Sequence, residues 1–365
     1  MDDVEKHIIF HVGTIKTGST YVQKFLFDNK KSLTALGVDY ILFSPLRLDL
    51  PRYANADFII DNDFNVHRVR NLIEASPCRH IIISEEGLMG RPASIKNEVF
   101  AAYSRTAIMY VRPPVELVAS WAAENSLPWN FIRDLQKYSD GFGVVDVSEG
   151  VKYCCNIYGL MINSFLDTIE ADAELNLVVR PYERDQLADG NIIVDFFHTM
   201  GLGDRLGDLL QVVRNYDVRT APGEHALPRA WESTINESRS RKYCDVSAKT
   251  ARLVQRCALE AIYGEEVYSE ALVDFVVERC ASGDDRKVIE TLSDADMDTI
   301  VRCLEPYYQR LCSKGYKDKV DLQSLLPDIY GNGRRAYQPV DDEEVKRAVI
   351  EFLENSGREV AHLWL

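Results

Sequence analysis

The stretch from His7 to Gln23, HIIFHVGTIKTGSTYVQ, decides the fold of this chain. Its first six residues, His7 to Val12, form a short apolar run rich in β-branched side chains, which predicts a buried strand. A helical pattern of apolar residues begins near Thr20 and stops at Gly37. The chain therefore opens with a strand, a short loop and a helix, which is the basic unit of an α/β fold.

The loop between that strand and that helix, Gly13 to Thr20, has the composition of an anion-binding loop. Main-chain amides at a helix N-terminus point towards a bound anion, and glycines let the main chain approach it closely. Gly13 and Gly18 have the spacing of a Walker A loop, but the lysine lies inside the loop, at Lys16. The segment is predicted to bind phosphate or a similar anion, and the alternative is that its glycines only shape a tight turn.

Four more apolar runs alternate with helical patterns, which predicts a parallel sheet with helices on both faces. These strand candidates are Gly37–Phe43, Arg79–Ser84, Thr106–Val111 and Leu175–Val179. After about residue 221 the strand signals stop and helical spacing dominates. The sequence thus predicts a P-loop-like α/β core over residues 1–220. A mostly helical region over 221–365 is expected to pack on this core, as a possible cover for an acceptor site.

Composition narrows the class of protein. The chain has 42 Lys and Arg against 57 Asp and Glu, a net charge of −15, which argues against sequence-independent binding of nucleic acid. Its eight cysteines include no C-x-x-C pair, and no cluster has the spacing of metal ligands, so no metal site is expected. The N-terminus lacks the basic start of a signal peptide, and no apolar run reaches the ~18 residues of a membrane span. We expect a cytoplasmic protein without a transmembrane segment.

An arginine ends the fourth predicted strand, in the segment VRPPVELVAS. Arg112 offers a planar fork of donors that suits phosphate oxygens. Ser120 follows eight positions later, about two helical turns into the next helix, where it can face the same pocket. The pair is a candidate phosphate site, and the alternative is a surface arginine and an ordinary helix serine.

Two carboxylates follow the third predicted strand, at Glu85 and Glu86. Because ligands of open α/β sheets bind at the carboxyl ends of the strands, these side chains are expected on the same edge as the glycine loop. Either is a candidate general base, with Glu85 favoured. The alternative is that one caps the next turn and the other is a solvated side chain.

The opening segment resembles the 5′-phosphosulfate loop of sulfotransferases that use PAPS (3′-phosphoadenosine 5′-phosphosulfate), closest to bacterial forms with H-x-G-x-x-K-T-G-[ST]-T-x-[LV]-Q. The resemblance implies that Lys16 contacts the bridging oxygen of the phosphosulfate. It also implies that Thr17, Gly18, Ser19 and Thr20 hold the 5′-phosphate. Gly13 and Thr14, in the same loop, are further candidates for binding the nucleotide.

Two later segments are similar to the same family. Arg112 and Ser120 match its 3′-phosphate site, and Tyr182, in RPYERDQL, matches a tyrosine that meets the adenine. The stretch from Asp195 to Leu202 resembles the segment that usually follows, so the resemblance covers residues 7–202. Many carbohydrate sulfotransferases keep a glutamate base where this chain has Glu85.

The resemblance implies transfer of a sulfuryl group from PAPS to a hydroxyl of a carbohydrate or glycoconjugate, with release of 3′,5′-ADP and without a metal. Two alternatives stay open at this point. A P-loop kinase of small molecules would depend on ATP and magnesium and would need an acid near the loop. A nucleotide-binding module without catalytic activity would bind 3′,5′-ADP but transfer nothing.

Overall fold

Five parallel strands form one sheet in the order β2-β3-β1-β4-β5. The strands are β1 (His7–Gly13), β2 (Val38–Tyr40), β3 (His80–Glu85), β4 (Ser104–Val111) and β5 (Leu175–Pro181). The computed structural model describes residues 5–14, 16–42, 63–125, 147–203, 207, 241–256, 269–283, 288–313, 340–358 and 360. All five predicted strands are confirmed, although β2, an edge strand, is shorter than its apolar run.

Helices follow or flank every strand, and those described after residue 203 occur without any described strand. They are α1 (Ser19–Asp28), α2 (Lys30–Ala35), α3 (Asp63–Ala75), α4 (Pro114–Asn125), α5 (Val147–Glu170), α6 (Ile192–Thr199), α7 (Arg241–Arg256), α8 (Glu270–Arg279), α9 (Val288–Thr291), α10 (Asp294–Ser313) and α11 (Asp342–Asn355). The predicted class, an α/β fold followed by a mostly helical region, is confirmed. Within the described ranges, no helix has both the length and the apolar composition needed to cross a membrane.

Both faces of the sheet are buried. Ile9 and Ile108 lie on one face and pack in a cluster with Phe25 of α1 and Phe196 of α6. Phe10, which points to the opposite face, is also fully buried. An all-parallel sheet has to be covered on both sides, and the continuous apolar runs of its central strands reflect that requirement.

The register aligns the carboxyl ends of the strands. Val12 of β1 lies opposite Glu85 of β3, and Gly13 lies opposite Tyr110 of β4. Val111, the last residue of β4, lies opposite Pro181 of β5. The segments that carry the candidate site residues therefore leave the sheet at one edge, because strands that run in parallel end on the same side.

The chain divides into two units, each made of three segments. The first comprises Met1–Pro113, Tyr158–Asn236 and Glu305–Pro327, and the second comprises Pro114–Ile157, Glu237–Leu304 and Asp328–Leu365. The first unit contains the sheet. In the second, helices α7, α8 and α11 share an apolar cluster that includes Val246, Leu272 and Val349. The proposed boundary near residue 220 lies outside the described residues and stays a prediction.

Candidate functional site

The loop after β1 is held in shape by its own hydroxyls. Thr14 Oγ1 donates to the carbonyl of Tyr110 at 2.6 Å, and Thr17 Oγ1 donates to the carbonyl of Thr14 at 2.6 Å. Both threonines are fully buried. Lys16 adopts a left-handed conformation, with φ of 67°, between them. The buried hydroxyls of Thr14 and Thr17 thus hold the main chain of the loop in its shape, while Lys16 remains partly exposed.

The two glycines of the loop are required by close contacts. A Cβ atom on Gly13 would lie 2.9 Å from Ser19 Cβ and 3.1 Å from Glu86 Cγ. Gly18 has φ of 74°, and its Cβ would lie 2.8 Å from the hydroxyl oxygen of Tyr182. Side chains larger than hydrogen fit neither position without displacement of these neighbours. Gly18 is also the residue before α1, so the tyrosine ring packs against the N-terminus of that helix.

Arg112 reaches the loop from the end of β4. Its Nη1 atom donates to the main-chain carbonyl of Lys16 at 3.3 Å. Its guanidinium carbon lies 5.9 Å from the centre of the Tyr182 ring. Burial raises the pKa of Tyr182, and the positive charge of Arg112 opposes that rise. The structure therefore brings together Lys16, Gly18, Arg112 and Tyr182, which sequence patterns had placed on three separate segments.

The two candidate bases have different surroundings. Glu86 is half-buried and accepts a hydrogen bond from the hydroxyl of Ser19, so its carboxylate lies at the start of α1. Glu85 is only 9% exposed, and its Oε1 atom accepts from the amide of Gly87 at 2.9 Å. Glu85 Oε1 thus caps the 3₁₀ turn Glu86–Gly90, as the alternative expected of one acid, but Glu86 bonds to Ser19 and is not simply a solvated side chain. The choice of Glu85 or Glu86 as a general base stays a prediction.

Two predicted site residues have less defined roles. Thr20 lies in the first turn of α1 and is partly exposed. Ser120 lies on α4, which belongs to the second unit, whereas Arg112 belongs to the first. The pairing of Ser120 with Arg112 at one phosphate therefore stays a prediction.

A buried acid fixes the segment that carries Tyr182. Asp195 of α6 is 1% exposed, and its carboxylate accepts from the hydroxyl of Tyr110 at 2.8 Å. Arg180 of β5 donates to the same carboxylate from two nitrogens, at 3.0 and 2.6 Å, and the amide of Ala188 donates at 3.0 Å. The network ties β4, β5 and α6 together on either side of Tyr182. In the sequence, Asp195 and Arg180 belong to matched segments, but nothing in their spacing indicates that they pair.

A buried histidine joins the two strands that lead to the site. His11 Nδ1 lies 2.7 Å from the Ser84 hydroxyl, and its ring lies near Tyr110 and Phe196, with centroids 6.0 and 5.1 Å away. Complete burial lowers the pKa of His11 to about 4. The ring is therefore neutral at pH 7 and anchors the residue that precedes Glu85. In the sequence, the only feature that singles out His11 is its place as the histidine of the H-x-G pattern.

The stability of the protein should fall on acidification because of His11. Its pKa is about 4 in the folded state and about 6.5 in the unfolded chain, so below pH 6.5 the unfolded state takes up the proton first. The stabilising contribution is complete above about pH 6.5 and is lost as the pH falls towards 4, with a loss of roughly 1.4 kcal/mol by about pH 5.5. The free energy of unfolding in urea, measured at about pH 7.5 and at about pH 5.5, gives this loss directly.

The matched variant is His11→Asn, whose side-chain carbonyl can accept the Ser84 hydroxyl hydrogen but does not titrate. Wild type and variant share all other ionisable groups, so the difference between their pH dependences isolates His11. The variant should be less stable at neutral pH and lose less of its stability on acidification. Equal losses in the two proteins would contradict the assignment.

Comparison with known proteins adds a similarity at the level of structure. The chain matches no protein-family model, and no curated protein is similar to it in sequence at a significant level. It is similar to the solved structure of a sulfotransferase from Alicyclobacillus acidocaldarius, with 12% sequence identity. The similarity covers 71% of this chain and 96% of that chain, with a TM-score of 0.28.

Proposed function

We propose that this protein is a sulfotransferase that moves the sulfuryl group of PAPS to a hydroxyl of a carbohydrate or glycoconjugate and releases 3′,5′-ADP. The observation that carries the proposal is the contact of Arg112 with the Lys16 carbonyl, at 3.3 Å. It brings the arginine at the end of β4 to the lysine-bearing loop after β1. Two phosphate-binding features at one sheet edge suit a nucleotide with phosphates at both ends of its ribose.

The chemistry asks for three things of the protein. The acceptor hydroxyl must lie in line with the sulfur, its proton must be removed, and the charge that develops on the leaving phosphate oxygen must be stabilised. A bond forms between the acceptor oxygen and sulfur while the bond from sulfur to the bridging oxygen breaks. Lys16 is proposed to stabilise the bridging oxygen with its ammonium group, in a pocket where charges act more strongly than in bulk water.

The acceptor proton is proposed to pass to a glutamate at the end of β3. Glu85 is favoured, and Glu86 is the alternative. One oxygen of Glu85 accepts from the amide of Gly87, which fixes the orientation of its carboxylate. The preference for a sugar hydroxyl rests on the glutamate at this place, together with the resemblance of the loop.

One contact favours a second candidate function. The hydrogen bond from Ser19 to Glu86 sets an acid beside a hydroxyl at the start of α1. A P-loop kinase needs such an acid to hold magnesium near the phosphates. The place of Lys16, inside the loop instead of directly after Gly18, counts against this candidate.

Thermal stability with two nucleotides separates the candidates. A ligand bound only by the folded state at about a hundred times its Kd stabilises it by about 2.7 kcal/mol. We expect 3′,5′-ADP to raise the melting temperature by several degrees and ATP with magnesium to leave it unchanged. The reverse result would favour the kinase. Incubation with ³⁵S-labelled PAPS and a panel of glycans then tests transfer; binding of 3′,5′-ADP without labelled product would indicate a non-catalytic module.

A further inference from the structure

A buried tyrosine from the C-terminal region holds the main chain of Arg112. The hydroxyl of Tyr308, on α10, donates to the carbonyl of Arg112 at 2.6 Å. The two residues are 196 positions apart in sequence, and both belong to the first unit. Tyr308 is fully buried. Because a carbonyl can only accept, the hydrogen of this hydroxyl is committed to Arg112.

The position of this carbonyl explains why it needs a partner. Val111 is the last residue of β4, and its own carbonyl accepts from the amide of Tyr182 at 2.6 Å. The Arg112 carbonyl lies one residue beyond the strand, where the sheet no longer supplies donors. A partly buried carbonyl without a donor is costly, so Tyr308 both satisfies this group and fixes the peptide that follows Arg112.

Burial also keeps the hydroxyl of Tyr308 protonated. It raises the pKa of Tyr308 well above that of an exposed tyrosine, and the neighbouring Tyr158, itself fully buried, adds to that rise. The hydrogen that the Arg112 carbonyl accepts is therefore present at neutral pH.

We propose that Tyr308 is a positioning residue that sets the place of Arg112 relative to the loop and so determines recognition of the 3′-phosphate. The inference rests on the proposed function, in which Arg112 binds that phosphate. The Arg112 side chain meets the loop at the Lys16 carbonyl, and its main chain is held by Tyr308. Loss of the tyrosine hydroxyl leaves the guanidinium attached to a peptide that is free to tilt.

The test compares two nucleotides that differ only in the 3′-phosphate. Calorimetric titration measures the Kd of 3′,5′-ADP and of 5′-AMP for wild type and Tyr308→Phe. We expect the Kd of 3′,5′-ADP to rise about fivefold, the equivalent of one hydrogen bond, and that of 5′-AMP to stay within about twofold. Tyr307→Phe is the matched control, because it removes a hydroxyl from the next, partly exposed position of the same helix and should change neither Kd.

A purely structural role would weaken both nucleotides equally, so an unchanged ratio of the two Kd values in folded Tyr308→Phe overturns the proposal. If that variant does not fold, as judged by its thermal transition, both titrations are repeated in trimethylamine N-oxide, an osmolyte that stabilises the folded state. The expected change in the ratio is the same, and an unchanged ratio is again contrary to the proposal. Failure of wild type to bind 3′,5′-ADP at all would instead refute the proposed function, which distinguishes the two failures.

Discussion

Replacement of Lys16 with alanine is expected to reduce sulfuryl transfer about a thousandfold while the Kd of 3′,5′-ADP rises by a much smaller factor, about tenfold. The reason is that the ammonium group is proposed to contact the bridging oxygen, where negative charge grows as the bond to sulfur breaks. The product nucleotide keeps that oxygen in its 5′-phosphate and so loses one contact, but its other proposed contacts, with the loop amides and Arg112, remain. The rate is measured with labelled PAPS and the acceptor found in the glycan panel, and the Kd by calorimetry.

Lys31→Ala is the control for this prediction, since Lys31 is an exposed lysine on α2. It should transfer sulfate at the wild-type rate. If Lys16→Ala retained the wild-type rate, the ammonium group would have no part in the chemistry. If the Kd of 3′,5′-ADP rose by as large a factor as the rate fell, Lys16 would be a binding residue only, and the transfer step would need another cation.

Replacement of Arg112 with alanine is expected to have the largest effect on binding. The Kd of 3′,5′-ADP should rise about thirtyfold to a hundredfold, because a charge-assisted contact to phosphate contributes about 2 to 3 kcal/mol. The Kd of 5′-AMP should change by less than about threefold, since that nucleotide has no phosphate at the 3′ position. Calorimetric titration of both nucleotides measures the two values directly.

Two further variants sharpen the result. Arg112→Lys keeps the charge but not the planar fork, and we expect it to recover only part of the lost affinity. Arg91→Ala removes an exposed arginine just after the 3₁₀ turn Glu86–Gly90 and should bind both nucleotides like wild type. If Arg112→Ala weakened both nucleotides equally, the arginine would act by holding the loop through the Lys16 carbonyl and not by binding the 3′-phosphate.

The sheet was predictable because its signals are local. The strands are continuous apolar runs, and the order of elements alone predicts that they are parallel. The placement of Lys16, Arg112 and Glu86 at one edge followed from the same rule, since parallel strands end together. An acidic run such as the one after Val340 is likewise typical of a helix N-terminus, and it forms the start of α11, where Asp341 accepts from the amides of Glu343 and Glu344.

Contacts between distant segments were not predictable from this one sequence. Tyr308 has no motif around it, and its bond to Arg112 depends on how α10 packs in the first unit. The pairing of Asp195 with Arg180 likewise depends on how α6 packs against the sheet. The partners of Glu85 and Glu86 could not be predicted either, although the two residues are adjacent in sequence. Once the 3₁₀ turn forms, Glu85 accepts from the amide of Gly87 and Glu86 accepts from the hydroxyl of Ser19.

The left-handed backbone of Lys16 has an evolutionary consequence. A residue other than glycine at φ of 67° costs on the order of 1 kcal/mol or more. Random mutation towards glycine or asparagine at this place would relax the chain and stabilise the fold. Laboratory evolution for heat resistance alone should therefore replace Lys16 early, whereas evolution that also demands the proposed activity should keep it.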